Sequence, residues 1–298
     1  MNLKERESTL NKALLTKKAG FSVHATEIPK NNTVLEGFHV EDENSTVLSP
    51  IIYSSPIWED LTDLELAEKL INIMEESEEI NKTAEESVKK LSADFIKENI
   101  NIYMIQDTPD NRKMLVEKEV VYKEYTNIDL LAFLTITMFQ EENSRGTVKV
   151  TNSLLDAYSS ELAYEELWDI ANEKLYDEFT IKNISEIMKN MAELDEDFPE
   201  ELLEPVPMYV VSNKNNICGS AVILNDEVIE EILTYIHTTR FYVIPSSIHE
   251  VIIIPYRSNY NIEELKNMIQ EVNNSIVALE ERLSDHPYYY DGVILRNS

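Results

Sequence analysis

Pro207-Met208-Tyr209-Val210-Val211-Ser212, Ile217-Cys218-Gly219-Ser220-Ala221-Val222-Ile223-Leu224, Arg240-Phe241-Tyr242-Val243-Ile244 and Val251-Ile252-Ile253-Ile254-Pro255 are four short apolar runs rich in β-branched and aromatic residues. Runs of this length and composition predict strands. Asn213–Asn216 reads as a polar turn between the first two, and Pro245–Glu250 as a loop between the last two. Between the pairs, Asn225 can cap a helix that carries Asp226 and Glu227 in its first turn, where negative charge suits the helix dipole. Val228, Ile229, Ile232, Leu233 and Ile236 form its apolar stripe. Asn261 and Glu264 open another helix with capping-box spacing, and Leu265, Met268, Ile269, Val272 and Ile276 are its stripe. The resulting order, β-β-α-β-β-α, predicts an α+β fold: antiparallel sheets with helices packed on one face.

Upstream of this unit, Glu193–Glu204 holds seven acids and no base and contains Pro199, with Pro205 and Pro207 following. It reads as a linker. The expected organisation is a mixed α+β region over 1–195 and an α+β domain over 205–298. In the first region, Phe21–Ile28 and Thr33–Val40 flank the turn Pro29–Asn32, and Val47–Ser54 completes a meander. Thr62 and Glu65 have capping-box spacing ahead of Leu66, Leu70, Ile73 and Met74, with Glu68, Glu75, Glu76, Glu78 and Glu79 turned to water. A helix is expected over Ala84–Glu98, a strand over Asn99–Gln106, and a turn at Thr108-Pro109-Asp110. Leu130–Phe139 and Thr147–Asn152 read as strands about a turn at Arg145-Gly146. Helices follow near Ser160–Leu175 and Ile181–Met191.

Charge sets the second constraint. The 298 residues contain 56 Asp and Glu against 26 Lys and Arg, a formal net charge of −30. Residues 1–204 carry 44 acids and 20 bases, so the acidity belongs mainly to the N-terminal region. Such a field repels nucleic-acid phosphates and anionic membranes and attracts basic proteins. A protein partner is therefore expected, with no nucleic-acid and no membrane partner. The longest apolar runs, Leu130–Phe139 and Val251–Pro255, are far short of a membrane span. Met1–Lys18 carries both signs of charge and no apolar core, unlike a signal peptide. Cys218 is the single cysteine, which excludes an intramolecular disulfide and any multi-cysteine zinc site. A cytoplasmic location is expected.

Two stretches hold residue types that can carry chemistry. Ser246-Ser247-Ile248-His249-Glu250 places two hydroxyls, an imidazole and a carboxylate in one interstrand loop, the ingredients of nucleophilic catalysis. In so tight a loop the same side chains also cap backbone groups, and that structural reading is favoured. In Asp285-His286-Pro287-Tyr288-Tyr289-Tyr290-Asp291 the Asp and His could join His249 as a metal or acid–base set, but a C-terminal strand or extended tail packed on the sheet, or a tyrosine-rich contact surface, is favoured. Asn213 and Lys214 complete the set of ligand- or partner-contact candidates with Asp285, His286, Tyr288, Tyr289 and Tyr290. No Walker A loop, dinucleotide glycine fingerprint or His-Glu-x-x-His occurs. Neither a metal nor a cofactor is expected.

The segments Met208–Lys214, Gly219-Ser220-Ala221, Tyr242-Val243-Ile244-Pro245-Ser246-Ser247-Ile248-His249-Glu250-Val251, Met268–Asn273 and Leu283-Ser284-Asp285 together resemble an uncharacterised Clostridial domain-of-unknown-function family, number fifty-six eighty-eight. Gly20 through Tyr53 and Gly146–Asn152 fit the same pattern, while Asp110–Tyr125 departs from it. A more distant similarity is to YtpQ-like proteins. Neither resemblance carries over catalytic residues or a function. The expectation from the residues is a non-enzymatic binding or regulatory protein. The alternatives are a hydrolase-like enzyme using Ser247 and His249, and a DNA-mimic inhibitor of a DNA-binding protein.

Overall fold

The computed structural model describes residues 3–42, 50–141, 144–194, 207–257 and 261–298. In chain order the elements are α1 (Leu3–Lys17), β1 (Phe21–Lys30), β2 (Thr33–Asp42), β3 (Ile51–Tyr53), α2 (Asp63–Glu76), α3 (Glu78–Lys89), α4 (Ala93–Asn99), β4 (Ile100–Gln106), α5 (Pro109–Glu117), β5 (Tyr122–Tyr125), β6 (Leu130–Glu141) and β7 (Ser144–Lys149). There follow α6 (Asn152–Ala157), α7 (Tyr164–Glu178), β8 (Phe179–Asn183), α8 (Ile184–Leu194), β9 (Tyr209–Asn213), α9 (Asp226–Tyr235), β10 (Phe241–Ile244), β11 (Val251–Pro255), α10 (Ile262–Ser275), β12 (Tyr288–Tyr290) and β13 (Leu295–Asn297). The fold is α+β with antiparallel sheets. Two compact units emerge, residues 1–96 with 137–148, and residues 97–136 with 149–298. The composition-based division at 195–205 marks a change of charge, whereas these units are defined by contacts. Strand β8, before that division, pairs with β9 after it, from Phe179 opposite Asn213 to Asn183 opposite Tyr209. Residues 195–204 of the expected linker lie outside the described residues.

The first unit is built on the β1–β2 hairpin, whose turn places Asn32 at φ 57°, a conformation asparagine tolerates. Strand β3 adds to β2, which needs Gly37 opposite Tyr53: a Cβ there would lie 2.6 Å from the carbonyl oxygen of Ile52. Helix α1, which the sequence reading did not anticipate, covers the hairpin. Asn11 donates to the Val23 carbonyl and accepts from the Val23 N–H, and Glu7 accepts from the Ala25 N–H, so helix side chains satisfy the open edge of β1. Leu10 and Leu14 of α1, Val23, Phe38, Val40, Trp58 and Leu66 and Leu70 of α2 form the core, with Phe38 stacked on Trp58. The expected capping box is present: Glu65 accepts from the Thr62 N–H at 2.9 Å, and Thr62 Oγ accepts from the Glu65 N–H.

Among the described residues of this unit one charge is buried. Arg6 is only 4% exposed, and its guanidinium donates to Asp63 Oδ1 and to the carbonyls of Trp58 and Leu61, at 2.7–2.9 Å. It ties α1 to the chain segment leading into α2.

His24 on β1 lies between two carboxylates, with Nδ1 3.2 Å from Glu7 and Nε2 3.3 Å from Glu41. Hydrogen bonding to Glu41, then to Glu7, raises its pKa above the ordinary value. A raised folded pKa means that the proton binds the folded state more tightly, so the contribution is complete below the unfolded value of about 6.5 and is lost as pH rises through the folded value. The ring is nearly half exposed, so solvent keeps the effect small. Thermal melts should give the wild type an advantage over His24→Gln near pH 5.5 that vanishes toward pH 9. A difference independent of pH would remove this account of the clamp.

In the second unit six strands form one sheet in the order β13-β12-β10-β11-β9-β8. Strands β4, β6 and β5 pair in a second sheet. Thr108 caps α5, accepting from the Asn111 N–H, with Pro109 at the first helical position where its missing N–H costs nothing. Thr108-Pro109-Asp110 therefore starts a helix and is not a free turn. Arg145 and Gly146 lie within β7, so the β6–β7 connection precedes them. The expected helix over Ala84–Glu98 is two helices, α3 and α4, interrupted before Ala93. Asn225 caps α9 as expected, accepting from the Val228 N–H at 3.0 Å.

The largest departure is Ile217–Leu224. It is not a strand: Cys218 takes a left-handed φ of 53°, and Gly219–Leu224 is a 3-10 turn, fully buried over Gly219–Ile223. The C-terminal order is therefore β-turn-α-β-β-α-β-β, with β12 and β13 at the far side of β10. The stripe of α10 is also only partly covered, since Ile269 is buried while Met268, Val272 and Ile276 are exposed.

Candidate functional site

The Pro245–Glu250 loop joins β10 to β11, two strands whose apolar residues are mostly buried. Its backbone is tied on several sides. The His249 carbonyl accepts from Ser212 Oγ at 2.7 Å and from the Gly219 N–H at 2.9 Å. The Ile248 carbonyl accepts from Ser220 Oγ at 2.8 Å, and the Ile248 N–H donates to the Glu281 carbonyl at 2.8 Å. The strand β9, the 3-10 turn and the turn at Leu279–Glu281 thus all hold one loop.

The side chains singled out by the sequence serve the same tie. Ser247 Oγ accepts from the His249 N–H at 3.0 Å, a local turn that serine commonly makes. Ser246 Oγ donates to Glu250 Oε1 at 3.2 Å. The His249 ring accepts through Nδ1 from the Cys218 N–H at 3.0 Å. That bond assigns the neutral-ring proton to Nε2, which faces Glu281 Oε1 at 3.5 Å. A catalytic dyad needs the imidazole on the serine hydroxyl. Here the histidine's acceptor nitrogen holds the Cys218 backbone amide, and both hydroxyls are engaged elsewhere. Ser246, Ser247, His249 and Glu250 are brought together, but as a loop fastening.

The remaining candidates are dispersed. Asn213 closes its turn by bonding both the N–H and the carbonyl of Ile217, and Lys214 donates to the Asp177 carbonyl. Asp285 accepts from the Asn273 amide at 2.7 Å. His286 stands edge-on to Tyr288 with ring centres 5.3 Å apart. Tyr288 is fully buried in β12, and burial pushes its phenol far up. Tyr289 joins Tyr242 and Tyr256 in a cluster on the sheet, with Arg240 4.3 Å over the Tyr256 ring. Tyr290 stacks on Phe241 at 5.1 Å. The tyrosine run is thus a strand, β12, paired with β10. Among the described residues no group of three or more His, Cys, Asp or Glu side chains is arranged to hold a metal, and no helix is long and apolar enough to cross a membrane.

Ser212, Gly219, Ser220 and Glu281 hold the loop but were given no role in the sequence reading. The available signal was the run of small residues Gly219-Ser220-Ala221 inside an apolar stretch, which marks close approach of another backbone. A Cβ on Gly219 would lie 2.5 Å from Asn213 N and 2.9 Å from the His249 carbonyl, and closer still to Ser212 Oγ.

In comparison with known proteins, the model of a family of unknown function, DUF5688, matches residues 4–292, nearly the whole chain. No curated protein and no solved structure matches.

Proposed function

The chain belongs to the DUF5688 family of unknown function, and for it we propose a non-enzymatic binding or regulatory role toward other proteins. One observation carries the reading: the loop richest in catalytic residue types is occupied by its own backbone, with the His249 ring on the Cys218 N–H and neither Ser246 nor Ser247 on the ring. Charge supports a protein partner over nucleic acid, since a net charge of −30 repels phosphates. Lysines paired with carboxylates of the acidic helices, such as Lys82 with Glu78 at 2.6 Å within α3 and Lys17 of α1 with Glu68 of α2 at 3.7 Å, favour scattered charge over the unbroken carboxylate row a DNA mimic needs. A cytosolic setting is part of the proposal and rests on the single cysteine.

The test sets stability against turnover. His249→Ala leaves the Cys218 N–H without its acceptor and should lower stability by about 1–3 kcal/mol, toward the low end because the ring is partly exposed. A panel of chromogenic carboxylic and phosphoric esters should show no turnover above a protein-free blank for the wild type or for Ser247→Ala. Turnover that disappears in His249→Ala and Ser247→Ala, with both variants melting like the wild type, would replace this proposal with the hydrolase reading.

A further inference from the structure

Met268 and Val272 in α10 and Ile276 at its C-cap follow one another at steps of four residues, with 41%, 40% and 80% of their surfaces exposed. Those steps align side chains on one helical face. Single exposed apolar residues are ordinary, but a continuous strip of them marks a contact surface. This strip borders the half-buried Leu265 and the buried Ile269, so it continues outward from the core.

Its rim is acidic. Residues 262–281 contain five carboxylates, Glu263, Glu264, Glu271, Glu280 and Glu281, and one base, Lys266. Glu264 and Glu271 stand one turn from Met268. The next base, Arg282, folds back onto the Val277 carbonyl and Asn274 Oδ1, at 3.1 and 3.3 Å. We propose that this strip docks a basic amphipathic helix of a partner protein, apolar residues against Met268, Val272 and Ile276 and Lys or Arg residues reaching Glu264 and Glu271. The proposal rests on the non-enzymatic binding role and names the chemistry of the partner. Helix-in-groove recognition uses this spacing of anchors. Charge selects the occupant: a second copy would set the same carboxylates against themselves within a chain of net charge −30, and an anionic membrane would be repelled.

The probe is a fluorescein-labelled Leu/Lys peptide of roughly 18 residues, about five helical turns, with leucines on one face. A scrambled peptide of the same composition keeps its charge and loses the face. Fluorescence anisotropy should show the wild-type protein binding the amphipathic peptide about tenfold or more tightly than the scrambled one, and the affinity should fall as salt rises from about 50 to about 500 mM. Val272→Asn with Ile276→Asn alters two exposed positions, keeps the fold by circular dichroism, and should weaken binding about tenfold. Equal affinity for both peptides would mean charge attraction alone and would overturn the proposal. So would unchanged affinity of the double variant, or sedimentation showing a dimer that the double variant dissolves, which would assign the strip to a second copy. Failure here leaves the binding role itself standing, since that role fails only through His249-dependent turnover.

Discussion

Arg6→Ala is expected to cost about 3–5 kcal/mol, the largest single-residue effect in the first unit, because it strips the partner from a buried charged network. The guanidinium serves three acceptors from one planar fork. Its loss removes one donor from each of the Trp58 and Leu61 carbonyls, leaving Trp58 only the Leu61 N–H at 3.3 Å, and takes the guanidinium from the partly desolvated Asp63. Lysine should not rescue it, since one ammonium on a flexible stem cannot match the fork. The two tryptophans sit in different units, Trp58 in the first and Trp168 in the second. In a Trp168→Phe background, urea unfolding followed by Trp58 fluorescence therefore reads the first unit directly. A loss below about 1 kcal/mol would show that water replaces the guanidinium without penalty. Arg6→Met keeps the stem volume; its loss should stay close to that of Arg6→Ala if the hydrogen bonds, not the packing, carry the effect.

Gly219→Ala is the second large effect, expected near 3 kcal/mol, the upper part of the usual range of about 1–3 kcal/mol for overpacking. The obstacle is space. The added methyl would meet Asn213 N and the His249 carbonyl, both backbone atoms of packed segments, so β9 or the loop must move. Either movement breaks the bonds from Ser212 and Gly219 to the His249 carbonyl. Gly20→Ala is the matched comparison: nothing lies within 4 Å of its Cβ, and its φ of 76° makes the cost one of backbone conformation alone, roughly 1 kcal/mol. Chemical denaturation should rank the two, and hydrogen exchange at Gly219, Ser220 and Ile248 should rise only in Gly219→Ala. If both glycines behave alike, the close approach of the 3-10 turn to β9 is not a stabilising feature.

Local signals were legible wherever the chain satisfies itself within four residues. The Thr62–Glu65 box, the Asn225 cap, the β1–β2 hairpin and the strands β10 and β11 follow from side chains near their own backbone or from simple periodicity. The structural role of Ser247 was legible for the same reason, its partner being two residues away. The fastening of His249 was not, because its partner on Cys218 lies 31 residues upstream and depends on a left-handed residue the sequence does not announce. Helix α1 was missed because only Leu3, Arg6, Leu10, Ala13 and Leu14 are buried on it, a sparse stripe among charges.

The sequence by itself determined the α+β class, the helix caps, most strands and the acidic character, since these depend on residue type and on spacing of a few positions. Tertiary structure alone decided three things. It turned the strand-like run Ile217–Leu224 into a buried 3-10 turn, because Gly219 must fit against β9 and Ser220 must reach Ile248. It set β8 and β12 into one six-stranded sheet, because strand neighbours are chosen by long-range pairing that no local period encodes. It also left Met268, Val272 and Ile276 in water, because a helix stripe records which face is apolar and says nothing of how much of that face its own chain will cover.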